Sequence, residues 1–171
     1  MKKLLLCAMM LLTTQALFAQ VMTARMITEW ERAKNYTKAY LDVMPDDGYA
    51  YKPSADIRSF AQQMGHIADV NYAFTSAITG KKSTVEGSVE KMSDLSKAAV
   101  SKATLESYDF VINALKEMKD ADLTKDIKVF GKEMKADLAF EKAFEHQTHH
   151  RGQTTVYIRM KGVKPPQEML F

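Results

Sequence analysis

Cysteine is almost absent from this 171-residue chain: Cys7 is the only one, so a disulfide framework within one chain is excluded. Charge of one sign is lacking too. Lysine and arginine exceed aspartate and glutamate by only three, which gives no field for nucleic acid, and DNA or RNA is not expected as a partner. Acidic and basic residues interleave along the chain (Glu29, Glu31, Arg32, Lys34; Glu117, Lys119, Asp120), as on solvated helix faces. No glycine-rich phosphate loop, alternating strand pattern or internal repeat occurs, which disfavours nucleotide-binding α/β folds and all-β folds.

The amino-terminal end reads as an address. Lys2 and Lys3 precede the apolar run Leu4 to Leu12, and the small residues Ala16 and Ala19 follow. This is the pattern of a secretory signal peptide with cleavage after Ala19, and it places the protein in the periplasm or outside the cell. Leu17 stands where a small residue is preferred, which weakens the cleavage point more than the export reading. Cys7 lies too early to look like a lipidation site. Removing residues 1–19 leaves one domain, residues 20–171, with no cysteine, a net charge of +1 and no stable membrane span. Redox chemistry by the mature chain's own thiols is thereby excluded.

What remains has helical periodicity. At about 100° per residue, Met22, Met26, Trp30, Ala33, Thr37, Leu41 and Met44 share one stripe, and Pro45-Asp46-Asp47-Gly48 ends it with turn chemistry. Ser59 and Gln62 form a capping box before a second helix over residues 60–79, stopped by Gly80. Lys81 to Ser96 is polar and aperiodic, a long connection acting as a lid or a crossover. Thr104, Tyr108, Val111, Leu115 and Met118 mark a third helix. Ile127, Val129 and Phe130 before Gly131 suit a brief extended segment, and a last helix runs from about Met134 to Lys161. The prediction is an all-α fold: a four-helix bundle with long crossover connections.

Three of the four histidines lie in His146-Gln147-Thr148-His149-His150. Residues four apart stand above one another on a helix, so His146 and His150 can bind one ion. Their face continues through Ala139, Ala143, Gln153, Tyr157 and Met160, polar only around the histidines, as an inward site requires. His66, on the buried-looking face of the second helix, is the natural third ligand. Three neutral imidazoles suit a divalent ion such as zinc or nickel and leave a coordination position open. Against this stands the commoner case of histidines that are merely hydrogen-bonded in a core. His149, at the edge of the face, reads as an outer partner of the site or a surface residue. Asp69, three residues after His66, is a candidate to orient an imidazole or take a proton, or is an exposed carboxylate. Tyr157 either positions substrate or belongs to the core.

Several stretches resemble a known family. His150-Arg151-Gly152-Gln153, then Tyr157-Ile158-Arg159 and Gly162-Val163-Lys164-Pro165-Pro166, look like the carboxy-terminal signature of the DinB-like (YfiT-like) proteins. Arg58-Ser59-Phe60 leading to Gly65-His66-Ile67, and Trp30 with Met44-Pro45, resemble that family's earlier helices. The resemblance implies a bundle of up-up-down-down order, three histidine ligands at His66, His146 and His150, and in some members activation of a low-molecular-weight thiol. It also implies a homodimer; Phe140, Phe144, Arg151 and Ile158, a second face of the last helix, are the surface in question, burial being the alternative.

Function stays open between a metal-dependent enzyme (hydrolase or thiol-dependent transferase) acting on an unidentified small molecule, a non-catalytic bundle stabilised by its ion, and a structural protein with vestigial histidines. Export argues against thiol transfer, because it removes the chain from the cytosolic thiol pool.

Overall fold

In the computed structural model the backbone is described for residues 2–171, and side chains from Met22 onward. The leader expected at residues 1–19 therefore falls outside the described side chains. Four long helices form the body: α1 (Lys2–Val43), α2 (Phe60–Thr79), α3 (Lys97–Glu117) and α5 (Ala136–Met160). A short α4 (Asp120–Leu123) and a hairpin of β1 (Asp126–Val129) and β2 (Lys132–Lys135) join α3 to α5. Among the described residues no helix is long and apolar enough to cross a membrane.

Local chemistry explains the boundaries. The Ser59 side chain accepts from the Gln62 backbone N–H while the Gln62 side chain accepts from that of Ser59, so two otherwise unpaired donors at the start of α2 are satisfied. Gly80 ends α2 at φ +72°, a left-handed conformation that glycine adopts without a Cβ clash. Ser96 caps α3, which begins earlier than its apolar stripe suggests because residues 97–103 pack against the end of α1 and the following turn: Lys97 donates to the Met44 carbonyl, and Tyr49 Oη meets Ser101 Oγ. The extended segment expected near Ile127 is the first strand of the hairpin.

The helices stand in a square. α2 packs against α3 and α5, and α1 against the same two, so α1 and α2 occupy one diagonal, α3 and α5 the other. Side-chain pairs give the directions. Lys34 with Asp109 and Glu31 with Lys116 set α3 antiparallel to α1. Asn71 with Ser107 and Lys81 with Glu117 set α3 parallel to α2. Gln63 with Tyr157 and His66 with His146 set α5 antiparallel to α2, and Trp30 with Phe144 and Tyr40 with Thr155 set it parallel to α1.

The all-α bundle is as expected, but its order is up-down-down-up, not up-up-down-down. The reason lies in the connections. α2 and α3 are neighbours running the same way, so residues 80–96 must travel back along all of α2. A 20-residue helix rises about 30 Å, and this connection spans up to roughly 50 Å when extended.

Trp30, Leu41, Met44, Phe60, Met64, Ile67, Tyr108, Leu115 and Ile158 fill the interior. The two apolar faces of α5 are explained by its position: one meets α2, the other α1, where Phe144 packs edge-on against Trp30. Arg151, considered above as an interface residue, is buried there. Its guanidinium donates to Gln147 Oε1 at 2.8 Å and lies 4.3 Å from the Tyr36 ring centre, a cation held by neutral groups. Gln147 also accepts from Tyr108, whose hydroxyl meets Thr37, so one polar network ties α1, α3 and α5 together.

Candidate metal centre

His66 projects from the second turn of α2, and His146 and His150 from consecutive turns of α5. Because the two helices are antiparallel neighbours, the three rings face each other across their seam. Their centres lie 4.3 to 5.0 Å apart, and each ring offers a nitrogen within 4.8 Å of the other two. The Nε2 atoms of His66 and His146 are 3.2 Å apart. Two nitrogens each ~2.0–2.1 Å from one tetrahedral ion stand roughly 3.4 Å apart, so this spacing needs little adjustment to share an ion.

Outer partners orient two of the rings. His150 Nδ1 lies 2.9 Å from Gln63 Oε1, and His66 Nδ1 lies 2.9 Å from Glu90 Oε2. An amide oxygen and an ionised carboxylate only accept, so both Nδ1 atoms donate and both Nε2 lone pairs are left for the shared space. Gln63 is fixed in turn by donating to Gln153 Oε1 and Tyr157 Oη. His146 has no such partner: its Nδ1 is buried without a hydrogen bond, and the ring's polar contact is Nε2 with His66 Nε2.

Burial, with the neighbouring rings next, pushes His146 down to about 3, and burial with His66 next pushes His150 down to about 4. Both are neutral at physiological pH, the form that binds a metal ion. Glu90 is lowered as well: its burial raises it, but the hydrogen bond and charge of Arg58, then His66, outweigh that.

The remaining residues singled out in the sequence separate clearly. His149 is exposed and pairs with Gln153 on the rim, outside the group of three. Tyr157 is buried, and its hydroxyl donates to the Arg58 carbonyl. Asp69 makes no hydrogen bond to an imidazole. Its carboxylate instead accepts from the backbone N–H groups of Val89 and Glu90 and from Ser88 Oγ. Glu90 escaped sequence reading because it lies in the aperiodic connection, where spacing carries no information about neighbours. Gln63, three residues before His66, carried a signal that was passed over: it shares that histidine's face of α2.

An open cleft of about 720 Å³ reaches this seam, with Gln63, Glu90, His150 and Gln153 among its polar lining and Pro53, Ile57 and Val156 on its apolar side. A small molecule entering it meets His150 directly. A separate groove of about 410 Å³, between α1 and α5 beside Trp30 and Phe144, shares no residue with the histidine site.

Comparison with known proteins agrees with the architecture. Residues 13–169 match a family model described as the DinB family. The protein YjoA of Bacillus subtilis is 24% identical over 132 residues, covering 75% of this chain and 84% of that protein. A crystal structure of a DinB-like protein from Bacillus cereus superposes with a TM-score of 0.73 at 25% identity, covering 84% of this chain and 95% of the other. The crystal structure of YjoA gives 0.66 at 19% identity, covering 86% and 96%.

Proposed function

Since the chain belongs to the DinB family, we propose that it binds one divalent metal ion, zinc or nickel, through His66, His146 and His150, and uses it to act on a small molecule admitted by the adjoining cleft. The observation that carries this is the convergence of three imidazoles, two of them with Nδ1 already engaged, on one space at ligand spacing. Three neutral nitrogens leave a coordination position open. An ion held there by His66, His146 and His150 would supply Lewis acidity toward a carbonyl or phosphoryl oxygen.

The chain's own residues do the rest. Gln63 and Glu90 hold the rings in one tautomer, and burial keeps His146 and His150 unprotonated. Tyr157 and Gln153 close the side of the cleft against Gln63, and Ile57 and Val156 supply apolar contact. Hydrolysis fits this site better than thiol transfer, given the second part of the proposal: residues 1–19 export the chain. Mass spectrometry of the protein recovered from its native compartment tests that part, with a first residue at Gln20 expected.

Elemental analysis of protein purified without a histidine tag or chelator tests the metal reading. About one equivalent of zinc or nickel per chain is expected, falling to background in His150→Ala. Protein that carries no divalent metal and binds none when it is added overturns it. If the ion raises the melting temperature while ester, amide and phosphoester panels stay silent, the ion is structural and the catalytic part fails.

A further inference from the structure

Residues 88–90 pass over α2 one helical turn from His66, and three features of α2 hold them there. Gly65 lets the strap come close: a Cβ at that position would lie 2.7 Å from Glu90 Cα, 2.8 Å from its nitrogen and 2.9 Å from the Val89 carbonyl carbon. Asp69 binds the strap's backbone, with Oδ1 accepting from Val89 N at 2.6 Å and Oδ2 from Glu90 N at 3.2 Å and Ser88 Oγ at 2.6 Å. Arg58, just before α2, donates from Nε to Glu90 Oε1 at 2.8 Å. The other carboxylate oxygen, Oε2, is thereby aimed at His66 Nδ1. The Val89 side chain, between Ser88 and Glu90, is buried against Ala68 and Tyr72.

We infer that Glu90 is a positioning residue of the metal centre, fixing His66 as the Nδ1–H tautomer with Nε2 toward the ion, and that Asp69 acts on the same ligand from a distance by holding the strap. The inference rests on the metal-binding reading for its effect on affinity, but not for the tautomer. A carboxylate behind a ligand histidine sets ring orientation and raises ligand basicity. Here both oxygens of Glu90 already have partners, so its role is orientation and not proton removal from substrate. The strap explains why Gly65, His66 and Asp69 occur together: one admits the backbone, one receives the carboxylate, and one grips the chain that delivers it.

The test uses the full-length mature protein, with His66 assigned by nitrogen-15 correlation spectra in the metal-free state and zinc affinity measured by chelator competition. Wild type is expected to show the Nδ1–H tautomer at His66. Glu90→Leu, which has no acceptor, should release the ring into a tautomer mixture and weaken zinc binding about 10- to 100-fold. Glu90→Gln has one accepting oxygen for two donors, His66 Nδ1–H and Arg58 Nε–H, so it should fall between wild type and Glu90→Leu in both tautomer and affinity. Asp69→Asn should weaken binding in the same direction without touching any histidine, which keeps the idea testable if Glu90→Leu does not fold. An Nε2–H tautomer in wild type, or unchanged zinc affinity in folded Glu90→Leu and Asp69→Asn, overturns the inference. If wild type binds no zinc, the metal reading fails, while the tautomer still decides what Glu90 does.

Discussion

The Nε2 atoms of His66 and His146 lie 3.2 Å apart although the residues are separated by 80 positions in the chain. With His66 Nδ1 donating to Glu90, the His66 Nε2 lone pair points at its neighbour, so in the metal-free protein a proton on His146 Nε2 must bridge the two. Were an ion to take up both Nε2 lone pairs, that proton would move to His146 Nδ1, which is buried without a partner, so the ring would stay neutral.

Loss of any one ligand is therefore expected to cost more than loss of an outer partner. His66→Ala, His146→Ala and His150→Ala should each weaken zinc binding by more than roughly 100-fold, the upper end of outer-partner effects. Isothermal titration checks this. Retained binding in any one of them would remove that residue from the site.

Gly65→Ala tests the close approach of the strap. The added methyl meets backbone on the other side, which cannot rotate away, so a destabilisation of about 1–3 kcal/mol is expected. Chemical denaturation measures it. Unchanged stability would mean that the strap moves off α2 without cost.

Arg151→Ala should destabilise the fold by about 2–4 kcal/mol, through a lost charge-assisted hydrogen bond to Gln147 and a lost contact with the Tyr36 ring. Zinc affinity should stay the same, since Arg151 faces α1 and not the histidines. A large fall in affinity with little loss of stability would contradict the placement of this side chain.

Acid should destabilise the metal-free protein in a defined window. Unfolded histidines take up protons near 6.5, whereas folded His150 and His146 resist until about 4 and about 3. Between those values the unfolded chain binds more protons, so stability falls as the pH drops from 6.5 toward 4. Urea midpoints at pH 8 and pH 5 measure the fall, which should shrink in a His146→Asn, His150→Asn double variant. A wild-type midpoint that does not change with pH in this range would contradict the burial of these rings.

Much of this was legible in the residues themselves. The capping box at Ser59 and the stop at Gly80 gave α2 its observed ends, since both act within a few residues of the boundary they set. The i, i+4 pair on α5 needs only helical spacing to be seen, and His66 stands out as the only histidine before it. Helix direction was not legible. An amphipathic stripe says which face is buried but not which neighbour buries it or whether that neighbour runs up or down. Glu90 was hidden for a related reason: a carboxylate in a polar stretch looks like any solvated charge until the path of the connection is known. The role of Asp69 stayed open because a side chain one turn from His66 can reach along the helix or across to another segment, and only the position of residues 88–90 decides.

The return segment between α2 and α3 divides at Ser88. Upstream, Lys82, Ser83, Thr84, Glu86 and Gly87 are exposed, and Gly87 has open space around it; downstream, Val89 is sealed against α2. Related chains can therefore differ in length before Ser88, and an inserted peptide tag there would leave the histidines undisturbed. A deletion of even one residue after it would draw the carboxylate out of register with its ring.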